Sequence, residues 1–203
     1  VIGGGEIAAR KVNGLLDAGA SIIVIGPDIC EAIEESARGG RVKIVRRKYR
    51  KGDLKGMALV IVAIDDAALN RRVAADARAS GVPVNVADDP DECDFTIPAV
   101  MRRGDITVAI GTGGASPALA REMKKVIEKV IGPEYAELTR ILGELRRTFL
   151  ERGEKLSERR ALFEALIGSG LKDCLKRRDF KAAKKIVTDL AGEDVEISRE
   201  GGR

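Results

Sequence analysis

Three groups of residues have the types and spacing to do chemistry. The opening string Val1-Ile2-Gly3-Gly4-Gly5-Glu6-Ile7-Ala8 reads Gly-x-Gly-x-x-Ala from Gly3 through Gly5 to Ala8. Glycines there let a backbone approach a pyrophosphate, and a helix starting just beyond them offers free N–H groups and a favourable dipole to the anion. The bland reading is a tight strand-to-helix turn that needs glycine for steric reasons. Asp28 follows Gly5 by 23 positions, close to the roughly 20-residue offset at which an acid meets ribose hydroxyls in dinucleotide sites. Asp28 also stands three residues before Glu31, the spacing of a helix capping box. Asp88 is the third candidate. It follows the apolar run Pro83-Val84-Asn85-Val86-Ala87, where a carboxylate could take a proton as a hydride leaves a substrate. Asp89, Asp91, Glu92 and Asp94 surround it, and like-charge crowding makes a carboxylate a better base; the alternative is a solvated acidic turn around Pro90.

Composition narrows the chemistry. The 203 residues include no histidine, which excludes His-based triads, His-metal sites and imidazole bases, so proton transfer falls to Asp, Glu, Lys, Tyr, Cys or water. Cys30, Cys93 and Cys174 are scattered and odd in number, unlike a zinc site or a disulfide framework, and point to a reducing cytoplasm. Without an activating base, Cys93 reads as a turn or core residue. No apolar run nears the roughly 18 residues of a membrane span, and a net charge of +4 with 3% aromatics permits an anionic ligand without asking for nucleic acid.

These residues must be positioned by alternating elements. Helical spacing of apolar residues predicts a helix over 7–18, stopped by Gly19. The β-branched run 21–25 predicts a buried parallel strand, followed by a helix over 28–37. Strands over 42–45 and 58–64, a helix over 67–79 and a strand over 83–87 complete the pattern. Alternation of this kind predicts a doubly wound, Rossmann-like α/β parallel sheet over residues 1–94, with ligands beyond the carboxyl ends of the strands. The rhythm then changes. Phe95–Met101 and Ile106–Ile110 flank Arg102-Arg103-Gly104-Asp105, a turn suited to a β-hairpin. Gly111-Thr112-Gly113-Gly114-Ala115-Ser116-Pro117 leads into a helix that Ser116 can cap and Pro117 can open. Its hydroxyls and backbone could equally bind an anion. Arg102, Arg103, Arg121, Lys124 and Lys125 could meet substrate carboxylates or form a solvated face. The expected division is a dimerisation segment over 95–147 and a small helical domain over 148–203, with breaks near Gly153, Gly168-Ser169-Gly170 and Asp179 and a frayed end over 193–203.

Several strings in order resemble the precorrin-2 dehydrogenase family, the dehydrogenase module of siroheme synthases. They are Gly3-Gly4-Gly5-Glu6-Ile7-Ala8-Ala9-Arg10-Lys11, Asp65-Asp66 with Asn70, Asn85-Val86-Ala87-Asp88-Asp89-Pro90, Phe95-Thr96-Ile97-Pro98, and Gly113-Gly114-Ala115-Ser116-Pro117-Ala118-Leu119-Ala120-Arg121. Ser157-Glu158-Arg159-Arg160 extends the likeness to about residue 170. The resemblance implies NAD-dependent oxidation of precorrin-2 to sirohydrochlorin, with no metal required for that step. It implies NAD contacts from Gly3, Gly5, Glu6, Ile7, Pro27 and Asp28, and gives Asp88 the role of the family's essential aspartate. It makes Thr112, Ser116 and Arg121 candidates for the carboxylated tetrapyrrole, with Thr112 standing where some members carry a phosphorylatable serine. Family members are homodimers and begin with a complete first strand, so several residues are expected before Val1. Two alternatives accompany this reading. One is a bifunctional enzyme that also inserts Fe2+ or Co2+ into sirohydrochlorin. The other is a non-catalytic NAD-sensing regulator using the basic residues Lys172, Lys176, Arg177, Arg178, Lys181, Lys184 and Lys185, although Asp173, Asp179 and Asp189 interrupt them.

Overall fold

A computed structural model describes residues 1–197. The chain divides into two compact units, Val1–Ile97 and a second beginning at Pro98. The first holds a parallel sheet. Strand β1 (Ile22–Ile25) pairs in parallel with β2 (Val42–Val45), from Ile22 opposite Val42 to Ile25 opposite Val45. Strand β3 (Val60–Val62) pairs in parallel with β4 (Val84–Val86). Ile2 bridges the two pairs, lying parallel to Ile25 on one side and Val62 on the other. Its N–H donates to Ile61 O at 2.8 Å, its carbonyl accepts from Ala63 N at 2.8 Å, and Gly3 N donates to Ile25 O at 2.8 Å. The order across the sheet is therefore β2, β1, Ile2, β3, β4, which with Ile2 as the first strand is the 3-2-1-4-5 order of a Rossmann sheet. The doubly wound fold expected from the alternating runs is what forms.

Both faces are covered, which is why the strands read as continuous apolar runs. On one face Ile22, Val24 and Val42 pack with Ala8, Ala9 and Val12 of α1 (Glu6–Asp17) and Ile33 of α2 (Glu31–Arg38). On the other, Ile25, Val60, Val62, Val84 and Val86 pack with Val73, Ala74 and Ala77 of α3 (Ala67–Ala79). The small Ala8 and Ala9, both buried, let α1 sit close to the strands. Helix α3 starts where the Asp66 carboxylate accepts from Ala68 N and Leu69 N, each at 3.0 Å, an N-cap worth about 1 kcal/mol.

The strands are shorter than the sequence runs. Residues 58–64 yield only Val60–Val62, and 83–87 only Val84–Val86, although neighbours continue the ladder, Val60 N donating to Pro83 O at 2.9 Å and Ala87 N to Val62 O at 2.8 Å. Helix α2 begins at Glu31, with Cys30 as its N-cap and no side-chain cap. The expected capping box at Asp28 does not form, since the chain is still a bend at Pro27-Asp28.

A buried tyrosine gives this unit a measurable pH signature. Tyr49 is 7% exposed, and its hydroxyl donates to Asp76 Oδ2 at 3.1 Å. Burial, then the Asp76 bond, pushes its pKa from 10.0 up to about 12. A group whose pKa is raised on folding contributes stability that is complete below its unfolded pKa and lost as pH rises through the folded one. Stability should therefore fall as pH rises from 10 to about 12. Phenolate absorbance should show Tyr49 ionising at the upper end of that window, a step absent from Tyr49→Phe.

The second unit opens with a hairpin of β5 (Ala99–Arg103) and β6 (Ile106–Ile110). Arg102 pairs with Thr107 and Arg103 with Ile106, so these arginines lie in the strand and the turn is only Gly104-Asp105. Gly104 has φ +55°, and a Cβ there would sit 3.1 Å from Ala136, which makes glycine the fitting residue. Among the described residues five helices follow: α4 (Pro117–Val130), α5 (Glu134–Glu151), α6 (Leu156–Gly168), α7 (Leu171–Lys176) and α8 (Phe180–Ala191). Their breaks fall at the expected glycines and at Asp179, whose carboxylate caps α8 by accepting from Ala182 N at 3.0 Å. Ile141, Leu145, Leu166 and Leu171 are fully buried in one core, each worth roughly 1.5–3 kcal/mol of burial. Residues 193–197 depart from the frayed end expected there. Val195 is buried in that core, Glu193 pairs with Arg152, and Asp194 pairs with Lys184 at 2.7 Å. The rest of that end, 198–203, lies outside the described residues.

Candidate dinucleotide crevice and active site

The glycine string leaves the sheet through Gly3 and enters α1 at Glu6. Its three glycines answer to different constraints. Gly3 has φ +112°, and a Cβ there would fall 2.1 Å from Ala63 O. A Cβ on Gly4 would fall 2.0 Å from Asp28 O and 2.7 Å from Ile29 Cδ1. Both are fixed by neighbouring backbone. Gly5 meets nothing within 4 Å. It is the N-cap of α1, extended at φ −83° and ψ −171°, with no side-chain cap bond to the first N–H groups of the helix. The combination is an open cradle over an uncapped helix N-terminus, with Glu6 exposed and Ile7 half-buried beside it. A pyrophosphate group suits such a place.

The loop after β1 lies against this cradle. Cys30 N donates to Gly4 O at 2.8 Å, Gly26 N donates to Val45 O at 3.2 Å, and a Cβ on Gly26 would come within 3.2 Å of Gly4 N. Pro27 and Asp28 are held at the lip, both exposed. With no helix to cap, the Asp28 carboxylate is available to a ligand hydroxyl. Gly3, Gly5, Glu6, Ile7, Pro27 and Asp28 are thus brought together at one edge of the sheet. The parts played by Gly4 and Gly26 were not visible in the motif, because what each avoids is backbone from a distant loop.

Asp88 stands on the same carboxyl edge, two residues beyond β4. Its backbone is left-handed, with φ +62°, a region that costs most residues about 1–2 kcal/mol but that aspartate and asparagine tolerate. The turn carrying it is pinned from inside by Cys93. Cys93 Sγ accepts from Asn85 Nδ2 at 3.3 Å and Val86 N at 3.2 Å, and lies 3.2 Å from both Val86 O and Asp89 O, to one of which its S–H donates. Asn85 Nδ2 also donates to Phe95 O at 2.9 Å. Cys93 is thus the clamp of the Asp88 turn. Cys93→Ala should cost about 1–3 kcal/mol through unpaired donors, read as a lower thermal midpoint that Cys93→Ser largely restores.

The expected crowding of negative charge around Asp88 is relieved in part, at Glu92 and Asp94. Arg78 of α3 donates to Glu92 Oε2 at 2.8 Å and Asp94 Oδ1 at 3.2 Å. Asp94 Oδ2 also accepts from Val84 N at 3.0 Å. The Val84 N–H, then Arg78, holds the Asp94 carboxyl below its ordinary range. Asp88 itself is exposed, and no ion pair engages it among the described residues.

The remaining candidates lie in the second unit. Ser116 caps α4, its Oγ accepting from Leu119 N at 3.2 Å, and Thr112 Oγ1 accepts from Ser116 N at 3.0 Å. Gly113 and Gly114 are left-handed, at φ +61° and +87°. Both hydroxyls therefore already shape the turn. Arg121 is exposed on the first turns of α4 with no ion pair among the described residues.

The sheet order, the open glycine cradle and the acid beside it define a dinucleotide-binding Rossmann protein. Residues 1–99 match the family described as "Putative NAD(P)-binding". The siroheme synthase of Methylococcus capsulatus is 44% identical over 146 residues, 72% of this chain and 31% of that protein. The siroheme synthase of Azotobacter vinelandii is 37% identical over 193 residues, 95% of this chain and 42% of that protein. Among solved structures, "SirC, precorrin-2 dehydrogenase" superposes with a TM-score of 0.69 at 28% identity, covering 91% of each chain. Over most of its length the chain is similar to siroheme synthases and to a precorrin-2 dehydrogenase. It spans less than half the length of the curated siroheme synthases it matches.

Proposed function

We propose that this protein is an NAD-dependent dehydrogenase that oxidises precorrin-2 to sirohydrochlorin. The observation that carries the reading is the conjunction, at one sheet edge, of the uncapped cradle at Gly5 with the left-handed, clamped Asp88. The likeness to the SirC structure, which extends over both units, supports it. Bound in the crevice, NAD supplies the hydride acceptor. Gly5 and the first N–H groups of α1 hold the pyrophosphate, flanked by Glu6 and Ile7. Pro27 and Asp28 orient the ribose, and the carboxylate of Asp28 favours a free 2′-hydroxyl over a 2′-phosphate, hence NAD over NADP.

Oxidation removes a hydride and a proton from the macrocycle, and the Asp88 carboxylate takes the proton. The clamp at Cys93 fixes the backbone turn that carries Asp88, which matters because orientation is a large part of the rate enhancement open to such a site. Arg121, with Thr112 and Ser116 near the start of α4, meets carboxylates of the tetrapyrrole. The protein acts as a homodimer in the cytoplasm. An apolar stripe on α4 supports the dimer: Leu119, Met123, Val126 and Val130 are 53%, 44%, 60% and 68% exposed, at the spacing of one helix face. Free Cys30, Cys93 and Cys174 suit a reducing compartment, and no helix among the described residues is long and apolar enough to cross a membrane. Anaerobic incubation with precorrin-2 and NAD tests the reading: the sirohydrochlorin spectrum should grow with NAD present and stay absent without it.

A further inference from the structure

A groove in the second unit is used by nothing described so far. It runs between α5 and α6, has a volume of about 430 Å³, and is lined by Thr139, Leu142, Gly143 and Arg146 on one side and Leu156, Arg159, Arg160 and Phe163 on the other. Each set has the spacing i, i+3, i+4, i+7 of a single helical face, so two matched faces confront each other across an open space. The volume lies within the range of roughly 300–1,000 Å³ typical of small-ligand sites.

Its charge is unbalanced. Arg160 Nε donates to Glu164 Oε1 at 2.9 Å, but Arg146 and Arg159 have no carboxylate partner among the described residues. Arg159 Nε is buried with no hydrogen-bond partner, and a buried donor left unpaired is costly. The apolar lining is unbalanced too, since Leu156 is 75% exposed at the groove mouth. The floor is opened by Gly143. It sits inside a helix, where glycine costs about 1 kcal/mol against alanine. Yet its φ is not positive, and a Cβ there would meet nothing within 4 Å. Backbone geometry gives no reason for that glycine, and its effect is to leave room.

We infer that this groove binds a carboxylate carried on a planar apolar body, with the ring between Leu142, Leu156 and Phe163 and the carboxylate on Arg146 and Arg159. Arginine is suited to both contacts, because its fork matches a carboxylate and its flat face stacks on rings. Two sources share this chemistry: a small aromatic acid, or the carboxylated rim of a larger macrocycle.

The probe is 2-naphthoate, titrated by calorimetry into NAD-saturated protein, with neutral 2-naphthol as its uncharged counterpart. One-to-one binding of the acid is expected, at least about tenfold tighter than the neutral compound because the bonds are charge-assisted. Gly143→Leu fills the floor while improving helix propensity, and should abolish binding with an unchanged circular dichroism spectrum. Arg146→Gln combined with Arg159→Gln should erase the preference for the acid. Displacement of naphthoate by uroporphyrin would assign the groove to a macrocycle rim, and indifference to uroporphyrin would assign it to small acids; both support the site. No naphthoate binding to the native protein overturns the inference. So does binding that survives Gly143→Leu, or a Gly143→Leu protein whose only change is its oligomeric state, which would make the groove a contact between copies of the chain. The readout needs neither precorrin-2 nor turnover, so its failure is distinct from failure of the dehydrogenase reading.

Discussion

Replacing Asp88 by asparagine should lower dehydrogenase turnover by about 10²–10⁴-fold, the span of a lost general base, and leave NAD affinity and the thermal midpoint unchanged. The separation follows from where the residue sits. Asp88 is left-handed at φ +62°, and asparagine is among the few non-glycine residues that tolerate this conformation. Its side chain is exposed, while the turn is held by the Cys93 sulfur against Val86 and Asn85. The substitution therefore removes a proton acceptor without removing a structural bond. Alanine is the less informative change, because it adds left-handed strain to the chemical loss. The decisive quantities are kcat, measured at saturating NAD, and the NAD dissociation constant. Unchanged kcat in Asp88→Asn would remove Asp88 from the mechanism.

The second large effect divides the three glycines. Gly5→Val should leave the fold intact and weaken NAD binding by about 100-fold, as expected from losing one or two charge-assisted hydrogen bonds of roughly 1.5–3 kcal/mol each. Valine accepts the extended backbone found at Gly5, and the space its side chain enters is empty of protein atoms. In the proposed function that space holds the pyrophosphate. Gly4→Ala should do the reverse in order of cause. Its methyl would lie 2.0 Å from the Asp28 carbonyl oxygen, so the loop after β1 must move, at about 3 kcal/mol by the scale of overpacked sites. Calorimetric NAD titration beside thermal unfolding reads both. Equal loss of stability in the two variants would mean that the open cradle at Gly5 is not a ligand site.

The sheet was legible because its strands are buried on both faces and its helices keep apolar periodicity. The runs around Ile22–Ile25 and Val60–Val62 carry that signal directly. The hairpin and the helix breaks at Gly153, Gly170 and Asp179 were legible for the same local reasons. Features decided by contacts between distant segments were not. Asp28 has the spacing of a helix cap, but the loop over Gly4 delays α2 to Glu31. The acidic string 88–94 reads as crowded charge, but α3 brings Arg78 over Glu92 and Asp94. Cys93 offers no hint in sequence that its sulfur fastens the turn. Residues 193–197 look like a polar tail, and only the packing of Val195 ties them down.

The most direct test is anaerobic turnover of precorrin-2, following sirohydrochlorin and NADH together in native protein and in Asp88→Asn. One NADH should form for each sirohydrochlorin in the native protein, with both nearly silent in the variant although it still binds NAD. NAD-loaded, folded native protein that leaves the precorrin-2 spectrum unchanged would contradict the account.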